Sequence, residues 1–158
     1  MKEITLMFHF IGLGLLVTTL ISGFMIDRQY RNAPDLRAKA LILKTGRPFG
    51  LLGPIGSLVL LVTGIGNMHA IGAGLFTLNW LAIKIGLFAI AVVVGSAIGA
   101  IARKRGALVH AMSLNDGDST AAARLASYDR FIGAALPIMT ILLLSILYLS
   151  SIGRLGAS

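Results

Sequence analysis

The chain has 158 residues, of which 56% are hydrophobic and only 13% charged, and its net charge is +8. A soluble domain is about a quarter charged, so this composition with its long apolar runs belongs in a membrane. There is no cysteine, which excludes disulfides, iron–sulfur clusters and thiolate metal sites. The positive residues flank apolar runs, which assigns them to membrane topology and argues against nucleic-acid binding.

Four runs reach the roughly 20 residues that a helix needs to cross a hydrocarbon core. They are residues 4–26, 49–66, 78–102 and 131–152. The expected fold is an all-α membrane protein, a four-transmembrane-helix bundle forming one domain over 1–158. The first run is longer than a signal h-region and is followed by Asp27 and Arg28 instead of a small-residue cleavage site, so it is expected to be retained. The second run is rich in glycine, and the third carries Gly95 and Gly99 in a G-x-x-x-G pattern; small residues let membrane helices approach closely.

The connecting segments orient the chain. Segment 27–48 holds Arg28, Arg31, Arg37, Lys39, Lys44 and Arg47, and segment 103–130 holds Arg103, Lys104, Arg105, Arg124 and Arg130, whereas segment 67–77 holds no Lys or Arg. The positive-inside rule puts the two basic segments in the cytoplasm and both termini outside. A bacterial-type inner membrane is the expected location. Pro34 suits a first helical position and Gly46 a position just past a helix end, which predicts a short helix between them. Its Leu36, Ala40, Leu41 and Leu43 alternate with basic residues, as on a surface-lying amphipathic segment. Asp118 or Ser119 is a candidate cap for a helix that runs on into the fourth span.

The spans also resemble one another. His9 precedes Arg28 by 19 residues, as Lys84 precedes Arg103. Arg47 precedes Pro54 by seven, as Arg130 precedes Pro137, and Gly50 and Gly133 hold the same place. This pattern predicts two pseudo-symmetric αα-hairpins related by an axis along the membrane normal. His9 and Lys84 would then sit at matched depth near the outer surface.

Lys84 lies inside the third span, where an ammonium is costly unless it snorkels toward the interface or faces a polar site. Trp80, one turn outward, is a typical interfacial anchor. His9 is a packing residue or an imidazole ligand of the kind that holds haem iron in membrane bundles. Met68 and His69, with Met7 and His9, offer a thioether and imidazole set suited to copper. No span contains Asp or Glu away from its edges, which argues against a carboxylate-driven pump.

Together, Phe8-His9 early in span one, Pro54 in span two, the Trp80-to-Lys84 spacing in span three and Pro137 in span four resemble the HemJ-type protoporphyrinogen oxidases and the related CopD-like copper-resistance domains. The resemblance implies a b-type haem on His9, with Lys84 and Trp80 helping to hold or work on a porphyrin. It also implies an oxidoreductase acting on a porphyrinogen, with electrons passing to quinone or other respiratory-chain components. Residues 16–26 lack the tryptophan, proline and arginine that HemJ-type proteins carry late in span one, so the likeness is to a divergent member. Two alternatives stand beside it: a CopD-like copper-handling protein, and a non-catalytic subunit of a larger membrane complex or homo-oligomer.

Overall fold

The computed structural model describes residues 2–70, 79–114 and 119–155. Helix α1 spans Lys2–Asn32, α2 Leu36–Gly46, α3 Phe49–Ala70, α4 Asn79–Leu114 and α5 Ser119–Leu155, and no strand occurs among the described residues. Four helices are long and apolar enough to cross a membrane, so the chain is a multi-pass membrane protein. At 1.5 Å per residue, α3 is about 33 Å long, close to a hydrocarbon core, while α1, α4 and α5 are about 46–56 Å and overshoot it. The segments expected as loops, 27–48 and 103–130, are therefore mostly helix: α1, α4 and α5 continue past the apolar spans.

Helix α1 packs chiefly on α3, and α4 chiefly on α5, with few contacts joining these pairs. The pairs run antiparallel. In the first, Thr5 lies by Gly66, His9 by Thr63 and Thr19 by Gly53; in the second, Gly95 lies by Met139 and Arg105 by Asp129. The start of α1 and the end of α5 thus lie at one end of the bundle, here the terminal end. Helix α2 and the basic segments lie at the other, here the basic end.

Small residues set the closest crossing. A Cβ on Gly56 would lie 2.8 Å from the Gly12 carbonyl oxygen, and one on Gly12 would lie 3.1 Å from that of Gly56. Lipid tails are as apolar as leucine, so membrane helices associate through such backbone approach rather than through hydrophobic exclusion. The G-x-x-x-G of α4 makes no comparable contact: a Cβ on Gly95 would find only Met139 at 3.7 Å, and one on Gly99 only Arg103 of its own helix. In the sequence correspondence, Gly12 and Gly56 align with Leu87 and Met139, so the second pair has bulky residues where the first has glycines.

The basic end is packed by different means. Tyr30, Val109 and Leu125 form a buried cluster from α1, α4 and α5, with Leu36, Ala40, Ile42 and Leu43 of α2 against it. Helix α2 is capped by Asp35, whose Oδ1 accepts from the Ala38 N–H at 2.7 Å. Pro34 therefore precedes the cap and is not the first helical residue. Gly46 is the last residue of α2, not a residue beyond it, and Arg47 after it keeps right-handed dihedrals. Glycine at 46 gives Ile26 of α1 room to pack, since a Cβ there would lie 2.6 Å from Cδ1 of Ile26 and the isoleucine would have to shift. Leu36, Ala40 and Leu43 thus turn toward protein rather than lipid, and only Leu41, 65% exposed, points away.

Candidate functional site

His9 and Thr63 form one polar site within the apolar part of the bundle. Each lies seven residues from the terminal end of its helix, roughly 10 Å along the axis. His9 Nδ1 is 2.9 Å from Thr63 Oγ1. The Thr63 hydroxyl donates its single proton to the Val59 carbonyl at 2.6 Å. With that proton engaged by the carbonyl, Oγ1 accepts from His9 in the tautomer that carries its proton on Nδ1, and Nε2 of the neutral ring then carries the lone pair. A second group that pins one ring nitrogen and presents the other as a ligand is the arrangement found behind metal-bound histidines. An apolar groove of about 510 Å³ between α1 and α3 has Thr63 in its wall, with Phe8, Val59 and Val62 among its other lining residues.

Lys84 lies five residues into α4 and is half-buried. It is engaged with neighbouring groups. The Trp80 side chain lies outside the described residues. Met68 and His69 are not gathered with them. With Thr63 level with His9, His69 stands six residues further toward the terminal end, about 9 Å along α3. Met7 is 55% exposed and two residues from His9, hence on a different side of α1. Among the described residues, no three His, Cys, Asp or Glu side chains cluster as a metal site.

A second polar centre, unexpected from the sequence, closes the basic end. Arg105 is 3% exposed, and its Nη1 donates to Asp27 Oδ1 at 2.8 Å and to Asp129 Oδ1 at 3.3 Å. Its guanidinium lies 4.3 Å from the centroid of the Tyr30 ring, within cation–π range, and Lys39 Nζ approaches the same ring at 5.1 Å. Arg31 donates from Nε to Asp27 Oδ2 at 2.7 Å and from Nη2 to the Asp129 carbonyl at 3.0 Å. It can lie there because Gly133 has no side chain: a Cβ at 133 would meet Arg31 Nη2 at 2.6 Å. Two carboxylates thus bind two arginines and join α1, α4 and α5. The signal was present in the sequence as Asp27-Arg28 and Asp129-Arg130, an acidic residue followed by an arginine at the edge of a span in each case.

Comparison with family models, with curated proteins and with solved structures finds no match. The functional reading therefore rests on this chain's own residues.

Proposed function

We propose that this chain is a membrane redox protein that binds haem b through His9, as its resemblance to the HemJ-type group implies. The observation that carries the reading is the His9–Thr63 hydrogen bond, which leaves Nε2 as the ligand nitrogen. The residues present fit the group. The imidazole is oriented, the neighbouring groove is apolar, and Lys84 supplies a cation suited to a porphyrin carboxylate. When bound, haem supplies the one-electron chemistry, and the protein supplies ligation, orientation and a dry surrounding. Thr63 holds the ring of His9 and also stands in the wall of the apolar α1–α3 groove. Lys84 would orient an acidic substrate or cofactor group.

In this reading the excess of Lys and Arg places the basic end in the cytoplasm of a bacterial-type inner membrane and both termini outside. The two helix pairs are then the two halves of an internal repeat, and quinone is a suitable electron acceptor. The copper alternative lacks comparable support, because the register separates Met68 and His69 from His9.

The test is an absorption spectrum of the detergent-purified protein, oxidised and dithionite-reduced. A Soret band that moves on reduction and is lost in His9→Ala is the expected result. A colourless protein expressed with ample haem, or a colour untouched by His9→Ala, overturns the assignment.

A further inference from the structure

The basic end of α1 has two faces. Asp27, Tyr30 and Arg31 turn inward to the Arg105 centre. Met25, Arg28, Gln29 and Asn32, spaced along the other side, turn outward and form a cleft of about 530 Å³ with Ile42 of α2. The cleft is graded along the helix. Met25 belongs to the apolar run, Arg28 and Gln29 lie a turn beyond it, and Asn32 ends the helix. Gly53 packs on Thr19, so the antiparallel register puts Phe49, the first residue of α3, near the level of Gly23. The polar part of the cleft therefore begins just past the apolar span, where lipid headgroups lie.

Charge identifies the occupant. No carboxylate lines the cleft. Asp27 is taken by Arg31 and Arg105, Asp129 by Arg105, and Asp35 by the α2 cap. Arg28 is exposed and forms no ion pair among the described residues. The site offers a guanidinium and two carboxamide N–H₂ groups beside two apolar side chains, a set that matches a phosphodiester with its acyl chains. Basic pockets between membrane helices are suited to anionic headgroups.

We propose that this cleft is a binding site for an anionic phospholipid of the leaflet into which the basic end emerges. Arg28 takes the phosphate, Gln29 and Asn32 donate to headgroup oxygens, and Met25 and Ile42 pack against an acyl chain. Nothing in this assignment depends on the haem reading.

The experiment uses the full chain in nanodiscs containing equal parts of phosphatidylglycerol and phosphatidylcholine. Native mass spectrometry then counts the lipids that stay bound on release. Wild type should retain phosphatidylglycerol in preference. Arg28→Gln should reduce that preference about fivefold, the weight of one basic residue near an anionic surface. Asn32→Asp, which sets a like charge at the same rim, should reduce it too. Arg124→Gln, an exposed cation on α5, should leave it unchanged. An unchanged preference in both cleft variants overturns the proposal, as does an equal loss in Arg124→Gln, which would mean general surface attraction. Inorganic phosphate at tens of millimolar should fail to displace the lipid; displacement would mark a free-phosphate site instead.

Discussion

Arg105 Nη1 reaches Asp27 Oδ1 at 2.8 Å across 78 residues of chain, and this bond ties α4 of one helix pair to α1 of the other. Asp129 on α5 accepts from the same nitrogen, so one guanidinium links three helices. Between the pairs, side-chain contact of α1 with α5 is seen toward the basic end, at Gly23 with Leu136 and at Arg31 with Gly133. The basic end is thus the anchored end of the bundle.

Removing only Arg105 should therefore be costly. Arg105→Met leaves Asp27 and Asp129 without their shared cation; Asp27 keeps Arg31 and Asp129 is partly accessible, so the cost should fall below the roughly 3–5 kcal/mol of a fully buried pair that loses one partner. Adding Asp129→Asn to that variant should recover part of the loss, because Asp129 is the carboxylate left without a cation, whereas Asp27 keeps Arg31. Thermal unfolding in detergent checks both. Equal stability of Arg105→Met and wild type would mean that the centre contributes nothing to holding the helices.

Gly133→Val tests the same centre from α5 without removing a charge. The new side chain would occupy the position of Arg31 Nη2 and turn that guanidinium away from the Asp129 carbonyl. The arginine is half-exposed, with 49% of its side chain accessible, so it can move into water, and the expected cost is modest, about 1–2 kcal/mol. Arg31→Ala should largely abolish the difference between valine and glycine at 133. If the effects of the two substitutions simply add, the glycine does not serve the arginine.

At the α1–α3 crossing the obstacle is backbone, which cannot swing aside. Gly56→Ala would bring a methyl to 2.8 Å from the Gly12 carbonyl oxygen and 3.2 Å from the Leu16 nitrogen, so the helices must separate. Overpacking of this kind costs about 1–3 kcal/mol. Gly64→Ala is the matched control, because nothing lies within 4 Å of a Cβ there. Cysteine pairs placed at Thr5 and Gly66 would report the separation as slower disulfide formation in the Gly56→Ala background alone.

The four spans were legible because hydropathy needs no partner: length and composition alone mark residues 4–26 or 131–152. What could not be read was the use made of individual residues. Arg105 looks like any other residue of the Arg103-Lys104-Arg105 cluster, and only the fold decides that it points inward while its neighbours stay exposed. Gly46 carries the composition of a helix stop, but its role is set by Ile26, 20 residues earlier. Thr63 was hidden because a hydroxyl in an apolar helix can be satisfied by the carbonyl four residues back, as its bond to Val59 shows. Its value as a partner depends on α1 arriving at the right level.

That partnership gives the sharpest test of the candidate site. Under the haem reading, Thr63 contributes only by accepting from His9 Nδ1, so the substitution must remove the acceptor and keep the volume. Thr63→Val does so. The ring is then free to rotate or to change tautomer, and Nε2 is no longer held as the lone-pair nitrogen. Removing such an outer partner typically costs about 10–100-fold in metal affinity, so haem titration of the variant should show weaker binding with the Soret band still present. Thr63→Ser restores the acceptor and should restore affinity. A valine variant that binds like wild type would show that the hydrogen bond serves packing alone. Equal weakening by valine and serine would point to the methyl group instead of the hydroxyl.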